Sequence, residues 1–291
     1  MTHPMDDFPV RQMRFDYPVE ASPIWSHSAP DFSMFMNALG LHVPYFERFL
    51  VAVLRKVRPT LNDEQLRRDV RGIIGQEAHH AFNFVQWNAT MARDYPRVPE
   101  LEASARAGFD ARLEKRSLMH QVGFVAGYET FTFLGGIIVL DRYRRYMDEA
   151  EPNLRSLWLW HQVEEVEHGS VAFDVYQALY GEHEWARKWY VISAFTHIAF
   201  ETLSAYAHMV NREGYWRRPL RALRAWGFFL SFAKDLAASA LPVLKRGYHP
   251  RLHPICNDEQ NPIAVGWRKR YEAGLDNHAL SDATLNEMLP G

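Results

Sequence analysis

The sequence predicts an all-α protein, on three observations. Apolar residues recur at spacings of three and four for about two hundred residues after Pro44. Strict apolar–polar alternation bounded by turn residues, the signature of strands, is missing. No Gly-rich phosphate loop breaks the pattern. Residues 1–43 are expected to form an irregular leader, 44–246 a helical bundle domain with extra helices, and 247–291 a loop-rich tail packed on the bundle.

The helices follow in order. Pro44 suits a first helical turn, where its missing N–H costs nothing. The helix at 45–57 then presents Phe46, Phe49, Leu50, Val53 and Leu54 on one side and stops near Pro59. Thr60 or Asn62 can cap the next helix, whose first turn gains from Asp63 and Glu64, and which ends before Pro96. A charged helix at 100–116 leads into the apolar stretch 118–146. Pro152 opens a helix running to Gly181, a natural stop, and further helices are expected at 184–211 and 219–245.

Composition removes several functions. With 291 residues and a net charge of −2, the chain lacks the basic excess of a nucleic-acid binder. One cysteine, Cys256, excludes a disulfide framework and a thiolate zinc site and fits a reducing compartment. The N-terminal residues mix acids and prolines without a signal-peptide pattern, so a cytoplasmic location is expected. The apolar runs 122–140 and 191–210 carry Glu129, and His197, Glu201 and His208, in their interiors, so no membrane span is expected.

The chemistry lies in two Glu-x-x-His sequences, Glu77 to His80 and Glu165 to His168. Three residues advance a helix by about 300°, so each pair shares a face and can grip one ion. The flanking residues are apolar: Ile73, Ile74, Phe82 and Phe84 around the first pair, Val171 and Phe173 after the second. Glu129 is the one ionisable group in 121–140, and a buried carboxylate without a cation is costly. Glu47 sits between Phe46 and Phe49 on the first helix. The order Glu47, Glu77-x-x-His80, Glu129, Glu165-x-x-His168 is the ligand set of ferritin-like di-iron and di-manganese four-helix bundles. The expected cofactor is therefore two transition-metal ions, Fe/Fe or Mn/Fe, balanced by four carboxylates. His161 stands two turns before His168 on the same face and is either a further ligand or a histidine behind the ligands. His197 and Glu201, four apart, read as a core hydrogen bond, and Tyr128 as core packing beside Glu129.

Several segments resemble known families. QEAHHAFN (76–83), WHQVEEVEHGSVAFDVY (160–176), PYFERF (44–49) and YHPRLHP (248–254) resemble the bacterial family of predicted metal-dependent hydrolases, over residues 30–255. Two positions depart from it: Phe84 stands where members carry a second His, and Phe46 where they carry a Gly. The spacing His161-x-x-x-Glu165-x-x-His168 resembles the corresponding helix of di-iron arylamine N-oxygenases, where the additional His is a seventh ligand. In many di-iron oxygenases an acidic residue just before the motif glutamate bonds the His of the opposite motif. That resemblance implies Glu164 on His80 and, more weakly, Gln76 on His168, with Asp174 another candidate.

The expected activity is an O2-activating oxygenase or oxidase acting on a small apolar or aromatic substrate, since apolar walls protect a strong oxidant from water. The alternative is a hydrolase using a metal-bridging hydroxide. A third reading is non-catalytic metal binding or iron storage. The partners expected of the oxygenase are a small-molecule substrate, O2 and a separate electron donor, with a homodimer allowed and neither nucleic acid nor a membrane span.

Overall fold

The structure is a computed structural model and describes residues 5, 6, 8–256 and 261–289. Among the described residues there is no strand, only an isolated antiparallel bridge between Ser26 and Ala150. The α-helices in chain order are α1 (Pro30–Gly40), α2 (Val43–Val57), α3 (Glu64–Met91), α4 (Val98–Lys115), α5 (Leu118–Ile138), α6 (Pro152–Glu167), α7 (Val171–Tyr180), α8 (Glu184–Arg212), α9 (Pro219–Ala240), α10 (Pro262–Glu272) and α11 (Asp282–Glu287). Helices α2, α3, α5 and α6 pack on one another, and α8 and α9 cover α5 and α1. The arrangement is consistent with a ferritin-like bundle carrying extra helices.

Helix α5 is the centre of the molecule. It starts at Ser117, whose hydroxyl accepts from the His120 N–H, and nearly every residue from Gln121 to Leu134 is buried. A backbone this crowded needs glycine at its closest contacts: a Cβ on Gly127 would lie 2.5 Å from the Tyr190 carbonyl oxygen of α8. Beyond Ile138 the helix loosens into a π turn at Val139–Tyr143 and a 3-10 turn at Arg144–Met147.

Four local expectations are corrected. The leader is not irregular throughout, because α1 lies within it. Its Ser33, Met34, Phe35, Met36 and Asn37 are all buried, so no polar face betrays a helical period. Helix α3 is capped by Asp63, whose carboxylate accepts from the Gln65 and Leu66 N–H groups at 2.7 and 3.2 Å, rather than by Thr60 or Asn62. The single helix expected from 152 to 181 breaks after His168. There Gly169 lets the chain close on Phe133, whose ring a Cβ would meet at 2.3 Å. The tail holds α10 and α11, started by Asn261 and Ser281 side chains, and Trp267 of α10 is fully buried. Residues 257–260, 290 and 291 of that tail, and 1–4 and 7 of the leader, lie outside the described residues.

Two helical stretches are long and apolar enough to cross a membrane, Leu118–Met147 and Pro219–Leu244. The first is 83% buried over its most apolar window and is core; the second is 28% buried there.

Candidate metal centre

Four helices deliver seven buried side chains to one place. Glu47 comes from α2, Glu77 and His80 from α3, Glu129 from α5, and His161 and Glu165 from α6, with His168 at its C-terminal cap. Their donor atoms form two groups, Glu47–His80–His161–Glu165 and Glu77–Glu129–Glu165–His168, each within 4.8 Å. Glu165 belongs to both. Glu77 also spans the pair, with Oε2 3.3 Å from His80 Nδ1 and Oε1 3.1 Å from His168 Nε2. His161 Nε2 lies 3.3 Å from Glu47 Oε1 and 3.1 Å from Glu165 Oε1. His168 Nε2 is 3.3 Å from both Glu129 Oε2 and Glu165 Oε2.

The donor set fits a pair of cations. Glu47 Oε2, Glu77 Oε1 and Glu129 Oε2 are buried and accept no hydrogen bond, an expensive state for carboxylates unless ions sit between them. Four carboxylates and three imidazoles match transition ions that favour oxygen-rich sites with some nitrogen.

Without metal, protons do the neutralising. Burial pushes the Glu47 and Glu129 carboxyls up, Glu129 to about 8. Burial would also raise Glu77, but the His168 and His80 imidazolium groups overcome it and hold it at about 2. Burial lowers His80 and His168, yet their carboxylate neighbours outweigh it, so both rise well above the ordinary value. His161, dominated by burial, falls to about 3 and is neutral. At neutral pH two imidazolium groups thus face the carboxylates of Glu77 and Glu165.

The outer nitrogens of the two motif histidines are held by a closed chain of bonds. His80 Nε2–H donates to Glu164 at 3.0 Å, and His168 Nδ1–H donates to Gln76 Oε1 at 2.9 Å. These bonds fix opposite tautomers, leaving Nδ1 of His80 and Nε2 of His168 for the cluster. Arg11 joins the two halves. Its guanidinium donates to Glu164 at 3.0 Å and in a fork to Glu167 at 2.6 and 2.9 Å, while Gln76 Nε2 donates to Glu167 at 3.2 Å. Arg268 approaches Glu167 to 3.6 Å, and Arg11 stacks on Trp267 and Tyr271 of α10. Leader and tail therefore close over the back of the site.

Of the residues expected behind the imidazoles, the structure brings Glu164 to His80 and Gln76 to His168, and it adds Arg11, Glu167 and Arg268, which the sequence did not point to. Asp174 is not brought to the cluster: it bonds His249 at 2.9 Å, because the break after His168 turns α7 away. His197 and Glu201 stand 3.9 Å apart and belong to neither donor group.

Comparison with known proteins gives one match: residues 9–254 fit the family described as "Predicted metal-dependent hydrolase". The chain belongs to that family. No curated protein and no solved structure matches it. It is thus a helical metal-binding protein of the metal-dependent hydrolase family with a candidate dinuclear site.

Phe84 and Phe46 shape the approach to the site. Phe84 packs edge-on against His161 and Trp158, with ring centroids 4.9 Å away in both cases. Phe46 stacks on Tyr128 at 3.7 Å. A mostly apolar cavity of about 40 Å³ reaches His161 and is lined by Leu39, Val43, Phe131, Trp158, Ile198, Phe232 and Leu236. Tyr128, Thr132 and His42 supply its polar edges. The Tyr128 hydroxyl is buried without a hydrogen-bond partner. Burial, reinforced by His197 and opposed by the Ala38 carbonyl, pushes His42 down to about 3, so it is neutral.

Proposed function

We propose that this protein is a dinuclear oxidase or oxygenase, using Fe/Fe or Mn/Fe to activate O2 against a small, largely apolar substrate. The observation that carries this reading is an oxygen-rich donor set opening at His161 onto an apolar cavity. Bound there, the ions would supply the electron transfer to O2 that amino-acid side chains cannot.

The residues divide the remaining work. Glu77 and Glu165 span the two donor groups, and Glu47 and Glu129 close its ends. Glu164, Gln76 and Arg11 keep His80 and His168 in the tautomers that aim lone pairs inward. Phe131, Ile198 and Leu236 exclude water from the cavity. The Tyr128 hydroxyl, lacking a protein partner, offers one hydrogen bond to a polar group on the substrate, and neutral His42 lies beside it. Monooxygenation also requires two electrons, so we assign a separate electron donor as partner.

The family description favours a second reading, metal-dependent hydrolysis. That chemistry calls for a group facing the developing oxyanion. Arg11 and Arg268 are engaged behind the imidazoles with Glu164 and Glu167, and Arg48 and Arg55 share a separate pocket with Glu77, so the apolar cavity at His161 is lined by no cation and by the Tyr128 hydroxyl.

Oxygen uptake separates the two. Protein loaded anaerobically with ferrous iron and mixed with O2 should consume about one O2 per metal pair within seconds to minutes. No uptake, together with ester or phosphate turnover by the zinc-loaded protein, would assign the site to hydrolysis. Continued uptake with bulk iron deposition would assign it to storage.

A further inference from the structure

We propose that the outer faces of α8 and α9 dock in the plane of an anionic lipid bilayer. The two helices run antiparallel: Tyr206 meets Ala225 and Phe229, and at the other end Arg187 donates to the Val243 carbonyl. Both pack their inner faces on α1 and α5. Their outer faces, with the turns at Trp216 and Leu241 that flank α9, hold ten of the sixteen exposed large hydrophobic residues among the described residues.

These residues are ordered. On α9, Leu220, Leu223 and Leu230 are 77%, 70% and 65% exposed and recur at helical spacing. On α8, Trp185, Trp189 and Phe200 form a parallel stripe with 82%, 63% and 68% exposure. Soluble surfaces rarely expose so much apolar area in one place without something to cover it.

Charge selects the occupant. Arg217, Arg218, Arg221 and Arg224 are exposed around the start of α9 beside Trp216, and Lys245 and Arg246 follow its end. The one acidic residue of α9, Asp235, accepts from the Tyr143 hydroxyl at 2.9 Å and faces Arg142, and Asp31 of α1 lies near Arg221 and Arg224. A leucine stripe flanked by arginine and tryptophan is the composition that lies in a headgroup layer, apolar face down, with basic groups on anionic lipid. Crossing is excluded because Ala225, Phe229, Phe232 and Leu236 of α9 are built into the core. The acids of α8 lie away from the arginines, Glu184 engaged by Arg187 and Lys188 and Glu201 beside His197, so a second copy seated α9 on α9 would bring arginine against arginine. The inference does not depend on the metal chemistry.

Vesicle sedimentation of the full metal-loaded chain tests it. Vesicles of phosphatidylglycerol and phosphatidylcholine in equal parts should bind the protein about tenfold or more better than phosphatidylcholine alone, and less as salt rises. L220E/L230E should lose at least about tenfold of that binding, and R217Q/R218Q/R221Q/R224Q should lose its salt dependence. Retained metal content and helical circular dichroism establish that each variant is folded. Absence of wild-type binding to the anionic vesicles overturns the proposal, as does undiminished binding by both folded variants. A stable dimer that L220E/L230E splits, without vesicle binding, reassigns the face to a second copy.

Discussion

Arg11 and Glu164 are 153 residues apart in the chain and 3.0 Å apart in the fold, and Glu164 in turn holds His80 at 3.0 Å. Through Glu167 and Gln76 the same guanidinium reaches His168. One arginine from the leader thus ties the orientation of both motif histidines.

Replacing it separates that role from packing. Arg11→Gln leaves Glu164 and Glu167 buried with less positive charge, a loss of about 3–5 kcal/mol measurable by urea unfolding. Metal affinity should fall about 10- to 100-fold, as when the partners of ligating histidines are removed. A folded variant with wild-type metal affinity would show that the imidazoles need no such tether.

Metal loading should release protons. At pH 7 Glu129, His80 and His168 each hold one in the metal-free protein, and burial shifts Glu47 in the same direction. Binding two divalent ions should therefore displace about three or more, read with a pH indicator in weak buffer. Affinity should rise with pH up to about 8, where Glu129 loses its proton unaided. Release of none or one would contradict the charge balance.

The same groups set the pH dependence of the metal-free fold. For Glu47, Glu129, His80 and His168 the folded value lies above the unfolded one. Their contribution is complete below the unfolded values and is lost as pH rises through the folded values, about 8 for Glu129. Glu77 behaves oppositely: held at about 2, it contributes above its ordinary value of 4.5 and loses that as pH falls toward 2. Thermal melts of metal-free protein should therefore drop between pH 6 and pH 9, while the metal-loaded protein, its protons already displaced, should not show that drop.

Gly127 tests the packing that positions Glu129. Gly127→Ala forces a methyl toward the Tyr190 carbonyl and should cost about 1–3 kcal/mol. Gly227→Ala on α9, where a Cβ meets nothing within 4 Å, should instead gain about 0.5–1 kcal/mol. Equal effects in denaturant melts would contradict the close α5–α8 approach.

The six motif residues were legible because each motif pair is local to a helix and each carboxylate stands out against apolar neighbours. Turn counting puts His161 on the face of Glu165 and His168, and the structure brings it to Glu47 and Glu165. Arg11 was not legible, since its leader lacks any period and its partners are over a hundred residues away. A signal did exist: Glu164, Glu165 and Glu167 lie within four residues of a helix with no basic residue in its last turn, so a cation had to come from elsewhere. Asp174 was misplaced because a helix was carried through Gly169, where tertiary contact with Phe133 ends it. The exposed stripe on α9 was invisible in sequence, where apolar positions look alike whether they face a core or not.

Metal content of purified protein tests the central claim most directly. Elemental analysis should find about two transition-metal ions per wild-type chain and almost none in Glu165→Ala, which removes the carboxylate common to both donor groups. Asp174→Asn should keep both ions. Undiminished metal in Glu165→Ala would contradict a shared dinuclear centre.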